Sequence, residues 1–218
     1  MARISVIIFG LLASICFYAA PSHGDGAAAL YAPPPPESAA FIRTVATEKV
    51  GATAGLASDS LLVPIELVPG VGAYHPIING QHKFLVGDVS VTVTLVAGSY
   101  YSLVIHDDRG LKLQFVSDPI VLSRFHGQIA LHNLTGLPVV WLSWCGEKTH
   151  LGEPVASGGV GKLRIYPAVR NIAVVSAGGQ LGCLLDTILR RHETLSIFAI
   201  VEGDEITIMA ASAREFAD

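Results

Sequence analysis

Charge is scarce in this 218-residue chain: Asp, Glu, Lys and Arg make up 15% of it, and no run of one sign occurs. A protein that tracks a nucleic-acid backbone carries a basic patch or stripe, so DNA and RNA binding are excluded as the main activity. Aromatic residues are few at 7%, with two Trp and two Met, and cysteine occurs three times. Several catalytic and cofactor signatures are also missing. The chain has no G-x-S-x-G elbow, no C-x-x-C or H-x-x-x-H ligand pair, and no P-loop. Its glycine pairs, Gly158-Gly159 and Gly178-Gly179, lack the strand–G-x-G-x-x-G–helix setting of a dinucleotide site. The sequence therefore predicts no cofactor, no metal centre and no recognisable catalytic residue.

What is abundant is apolar surface, at 51% of residues, with 22 Gly and 12 Pro as punctuation. That composition excludes disorder over most of the length. Arg3 is the only charge before Asp25, and Ile4 to Ala20 is apolar and followed by small residues. This reads as a secretory signal peptide over residues 1–24, cleaved after Gly24, with a membrane anchor as the rival reading. Its removal leaves a formal charge of −5. Cys16 falls in the discarded segment. Cys145 and Cys183 then form an even pair in an exported chain, which leaves a disulfide or two small buried apolar residues.

Residues 25–40 hold Pro33 to Pro36, whose missing N–H donors and fixed φ favour an extended arm. From Phe41 onward period two dominates. Val89–Leu95 and Leu111–Phe115 alternate apolar with polar, as half-buried strands do. Asn79-Gly80 between Tyr74–Ile78 and Gln81–Val86 predicts a two-residue hairpin. Asp107 to Gly110 predicts a longer hairpin loop. After a break at Ser117-Asp118-Pro119, strands are expected over His126–Asn133, Pro138–Trp144, Lys162–Tyr166, Asn171–Val175, Thr194–Val201 and Glu205–Ala210. Leu184 to Leu189 is expected as a strand or short turn. The expected fold is all-β: two antiparallel β-sandwich-like domains, residues 41–118 and 119–218. No internal sequence repeat stands out.

Ser, His and acidic residues occur, but dispersed. Ser90 falls on the polar side of a regular strand, and the His106-Asp107-Asp108 group suits ordinary turn chemistry. His126 and His132 share a strand face, yet six residues of strand separate them by about 20 Å, too far for one metal ion. Asn133-Leu134-Thr135 fits the N-glycosylation pattern, to which no function is attached. Trp141 and Trp144 should point to opposite faces of a strand, one filling the core and one able to stack on a sugar ring or to be covered by packing. Arg190-Arg191-His192 is the only local basic cluster, suited to a carboxylated polymer, an acidic partner or plain solvation.

One ordered set of segments resembles a known family. Leu30-Tyr31, the run Pro33 to Pro36 and Phe41-Ile42-Arg43 resemble the opening of the mature alginate O-acetylation accessory family AlgF. Gly98 to Val104 is similar to that family's Tyr-Tyr strand, and Ile129 to Gly136 to its Asn-Leu strand. The resemblance implies a periplasmic, non-catalytic adaptor of two β-sandwich-like domains needed for alginate O-acetylation. It implies as partners periplasmic SGNH-type alginate acetyltransferases and a membrane-bound O-acyltransferase, with alginate itself as a further candidate. Tyr31, Trp141, Trp144, Arg190 and Arg191 are the candidate contact residues. Two other readings stay open: an acetyl-carrying or acetyl-transferring enzyme using a Ser such as Ser90 or Ser143, and a polysaccharide-binding module.

Overall fold

In the computed structural model, residues 36–50, 56–58, 67–120 and 125–214 are described. Apart from a single 3-10 turn at Glu48–Val50, their regular structure is strand, so the chain is all-β, and no described helix is long and apolar enough to cross a membrane. The first half contributes β1 (Ala39–Ala46), β2 (Leu56–Ser58), β3 (Gly70–Val71), β4 (His75–Ile78), β5 (Gly80–Val86), β6 (Val89–Leu95), β7 (Tyr100–Asp107) and β8 (Leu111–Asp118). The second contributes β9 (Gly127–Leu134), β10 (Val139–Trp144), β11 (His150–Ala156), β12 (Val160–Ile165), β13 (Ala168–Ser176), β14 (Gly179–Leu189), β15 (Glu193–Glu202) and β16 (Glu205–Arg214).

These strands make four sheets. In the first sandwich the sheet β3-β1-β7-β8, with β4 also on β1, faces β2-β5-β6. In the second, β12-β9-β15-β16 faces β11-β10-β13-β14. Although the sequence shows no repeat, the topology echoes itself. The first strand of each sandwich, β1 or β9, pairs in parallel with β7 or β15, which then hairpins into the last strand.

The parallel pairs sit where burial is deepest. Phe84, Ile42, Leu103 and Ile105 fill the first core; Ile129, Leu131, Ile172 and Ile197 fill the second. A third cluster, Val45, Val104, Leu134, Phe198 and Ile200, draws on β1, β7, β9 and β15 from the opposite faces. Those four strands are thus covered on both sides, which is why they read as near-continuous apolar runs instead of alternating ones. β9, for example, is buried at every position.

One local expectation is overturned, one narrows to a strand, and one strand is new. Asn79-Gly80 forms no hairpin: β4 pairs with β1 and β5 with β6, so the dipeptide is a corner where the chain switches sheets. Only Gly80 takes positive φ (127°), whereas the expected turn needs two such residues. Leu184 to Leu189 belongs to the eleven-residue β14, which bulges at Asp186, φ 49°. β11 escaped notice because Gly152 and Pro154 break the pattern, and as an edge strand it tolerates the missing N–H. The β7–β8 hairpin is as its turn residues dictate: Arg109 and Gly110 have positive φ, and Asp107 Oδ1 accepts the Gly110 N–H at 2.9 Å.

Candidate functional site

Arg43 lies in the middle of β1 with 1% exposure. A buried guanidinium needs counter-charge and acceptors. Parallel pairing sets Ser102 of β7 opposite Arg43, and Asp118 closes β8 opposite Tyr100. Arg43 Nε donates to Ser102 Oγ at 2.8 Å, and Ser102 Oγ donates to Asp118 Oδ2 at 2.5 Å. Arg43 Nη2 stands 3.2 Å from the same oxygen, on which Tyr74 also places its hydroxyl at 2.6 Å. The second sandwich closes the group. His132 of β9 brings Nε2 to 3.2 Å from Asp118 Oδ1, at ion-pair distance although off the direction of a regular hydrogen bond. Its ring stacks on Phe198 of β15 at 4.6 Å. The guanidinium is held between two rings, 4.5 Å from the centroid of Tyr74 and 5.2 Å from that of Phe198.

Burial alone would raise the Asp118 carboxyl. The contact with His132, the Arg43 charge and the Ser102 hydrogen bond outweigh it and hold the group below its ordinary value of 3.8. Burial and the neighbouring Asp118 charge push the Tyr74 phenol far above its ordinary 10.0, so it serves as a fixed donor. The site is a desolvated Arg–Asp pair whose charges cancel.

Ser, His and Asp meet here, but their wiring is not that of a hydrolase. A nucleophilic Ser must hydrogen-bond the His that takes its proton, with the Asp behind the His. In this cluster the Asp lies between the two, and Ser102, fully buried, spends its hydroxyl on Asp118. The arrangement joins β1, β7 and β8 of one sandwich to β9 and β15 of the other. A second set of contacts reinforces it. His106 Nδ1–H donates to the Val201 carbonyl at 2.9 Å, and the β15–β16 tip donates from Gly203 N–H to the Asp107 carbonyl at 3.0 Å. Beside these contacts a cleft of about 490 Å³ opens between the sandwiches, with Thr47, Glu48, Pro69, Glu202 and Met209 in its walls.

Sequence reasoning missed this cluster. Ser117-Asp118-Pro119 reads as turn punctuation, yet β8 runs through Asp118. The available signal was Arg43 itself, a lone cation in the apolar run Ala39–Ala46.

The residues singled out from the sequence are placed as follows. Tyr31 lies outside the described residues. Cys145 and Cys183 are joined by a disulfide with Cα atoms 5.8 Å apart, stapling the end of β10 to β14. Trp141 stacks on His150 at 4.7 Å, while Trp144, on the opposite face, packs partly on the second core. Arg190 and Arg191 are exposed in the β14–β15 turn. They do not join the tryptophans: Trp141 pairs with Val175 and Trp144 with Ile172, whereas Leu189 pairs with Ala168 further along β13. The cation over Trp144 is Arg170, at 5.7 Å, beside a cleft of about 400 Å³. Ser90 is exposed on β6. Ser143 is fully buried, and its hydroxyl donates to the Thr149 carbonyl at 2.8 Å. Asn133 is buried too, its amide donating to the Leu137 and Val155 carbonyls, so it organises a loop. Among the described residues, no group of three or more His, Cys, Asp or Glu could hold a metal ion.

Comparison with known proteins bears on what this scaffold serves. The family described as Alginate O-acetyl transferase AlgF matches residues 11–196. The alginate biosynthesis protein AlgF of Pseudomonas fluorescens is 25% identical over 189 residues, covering 84% of this chain and 82% of that protein. Its counterpart in Azotobacter vinelandii is 27% identical over 181 residues, covering 83% and 81%. That of Pseudomonas aeruginosa is 25% identical over 180 residues, covering 82% and 80%. With most of its length matched by the family and by relatives of like size, the chain belongs to the AlgF family of alginate biosynthesis.

Proposed function

We propose that this protein is a non-catalytic adaptor in alginate O-acetylation, working in the periplasm and linking a membrane-bound O-acyltransferase to periplasmic SGNH-type acetyltransferases. The observation that carries the reading is the wiring of Ser102, Asp118 and His132. The described residues that bring Ser, His and acid together use them to fix two sandwiches against each other, not to expose a nucleophile. A scaffold of this kind offers surfaces held at a set spacing, which suits a docking role.

Deletion of the gene in its alginate-producing host, followed by measurement of acetyl esters on the secreted polymer, tests this. Polymer made but unacetylated, and restored by the intact chain and by Ser90→Ala, is expected. Normally acetylated polymer refutes the role.

The family's description as an O-acetyl transferase favours a second reading in which a Ser carries the acetyl group. Ser90 is the exposed candidate, and mass spectrometry of the protein isolated from acetylating cells separates the two. An acetyl adduct on Ser90, with loss of function in Ser90→Ala, would replace the adaptor by a carrier.

A further inference from the structure

Large apolar side chains that face solvent gather at one place on the second sandwich. Val169 of β13 and Ile188 of β14 are direct cross-strand partners, exposed by 58% and 51%. Leu185 on the same strand is 69% exposed; Tyr166, just before β13, is 73% exposed but rests its ring on His126, 4.7 Å away at the start of β9, and so stands apart from these three. Alternation explains their direction. Leu184 and Leu189 point into the second core, so Leu185 and Ile188 point away from it, the bulge at Asp186 keeping both outward. None of the four belongs to any of the three apolar cores. The next residues after β14 are Arg190 and Arg191, both exposed and neither with a carboxylate partner among the described residues. The disulfide partner Cys183 lies on β14 within the same hairpin, which stiffens the base of the patch.

Single exposed apolar residues are ordinary; Val169, Leu185 and Ile188 together on one hairpin face, rimmed by Arg, have the composition of a protein interface. Local charge runs against that of the whole molecule. The rim adds two cations, partly offset by Asp186, in a chain with 14 basic and 18 acidic residues. From this the geometry points to the outer face of the β13–β14 hairpin as the docking surface for a protein partner that presents an apolar patch bordered by carboxylates. A second copy of this chain fits poorly, because a two-fold contact must answer Arg190 and Arg191 with carboxylates from the same self-complementary face, where the hairpin offers Asp186 against two cations. The inference rests on the adaptor reading and adds the surface through which it acts.

The test uses the full mature chain and, as probe, the purified periplasmic SGNH-type alginate acetyltransferase of the same host, with binding kinetics recorded at two ionic strengths. Ile188→Asp and the double variant Arg190→Glu/Arg191→Glu are each expected to weaken binding at least tenfold. The charge reversal should act mainly on the association rate and flatten its salt dependence. Ile78→Asp, a still more exposed change on β4, should bind as the unaltered chain does. All four substitutions in these three variants sit on the surface, and circular dichroism verifies that folding is unchanged. Equal binding by all variants overturns the surface. So does patch-dependent binding of alginate oligomers, which would assign the face to the polymer, and so does patch-dependent self-association. A chain that does not bind the enzyme, although its deletion abolishes acetylation, overturns the surface alone. A deletion that leaves acetylation intact removes the adaptor reading beneath it.

Discussion

Asp118→Asn keeps the shape of the side chain at the centre of the buried cluster and removes its charge. Arg43, 1% exposed, is then a cation in a dry site with no counter-charge, since its nearest anion was Asp118 at 3.2 Å. Breaking a buried pair in this way costs about 3–5 kcal/mol, out of about 5–15 kcal/mol of total stability for a typical domain. With a urea slope of about 2 kcal/mol/M, the midpoint should fall by about 1.5–2.5 M. The assay has a built-in separation of probes. Both tryptophans, Trp141 and Trp144, lie in β10 of the second sandwich, whereas Tyr74, Tyr100 and Tyr101 belong to the first. Tryptophan fluorescence should shift with the tyrosine near-UV signal, although the substitution is in the other sandwich. Adding Arg43→Met, which removes the stranded cation, should recover part of the loss. A change below about 1 kcal/mol, or a tryptophan transition that stays put, would refute the view that this cluster holds the sandwiches together.

The sign of the pH dependence follows from the depressed carboxyl. Asp118 contributes stability that is present above its unfolded value and is lost as pH falls through the lower folded value, so the gap between wild type and Asp118→Asn should close in acid below about pH 4, read by urea titrations across pH. Tyr74 should remain protonated through the range near pH 10 where an ordinary tyrosine ionises, detected by ultraviolet difference titration and abolished in Tyr74→Phe. Reducing Cys145–Cys183, which closes a loop of sequence separation 38, should lower stability by about 4 kcal/mol in the chain-entropy account, measured by denaturation with and without reductant. Gly127→Ala sets a Cβ 2.5 Å from the Arg190 carbonyl oxygen, a main-chain atom that cannot swing aside, and should cost about 1–3 kcal/mol by thermal melting.

How far the sequence carries depends on the range of the signal. Val89–Leu95 alternates because one face meets the first core and the other meets water, and that pattern is local. So is the turn chemistry at Asp107 to Gly110. Asn79-Gly80 misled because a hairpin dipeptide also suits a corner between sheets, and which partner each flanking strand takes is settled by β1 and β6, elsewhere in the chain. The buried cluster was illegible for the same reason. Arg43 and Ser102 are 59 residues apart, and no periodicity links Asp118 to His132. Arg43 and His132 both lie in segments that resemble the family, and that resemblance gives neither of them a role. Of the candidate contacts, the pairing of Trp144 with Arg170 and not with Arg190 depends on strand register, which spacing along the chain cannot supply.

The contiguity of each sandwich in sequence leaves one order of assembly open to the chain. Arg43, Tyr74, Ser102 and Asp118 all precede residue 119, so their mutual bonds can form while the chain that follows is still unstructured. His132 and Phe198 arrive with the second sandwich and act as its lid. On that route the ions lose their water as an existing neutral pair and not one at a time, which avoids several kcal/mol of desolvation for each lone charge. What is a buried charge in the finished molecule is, along that route, a latch that engages in solvent and is sealed last.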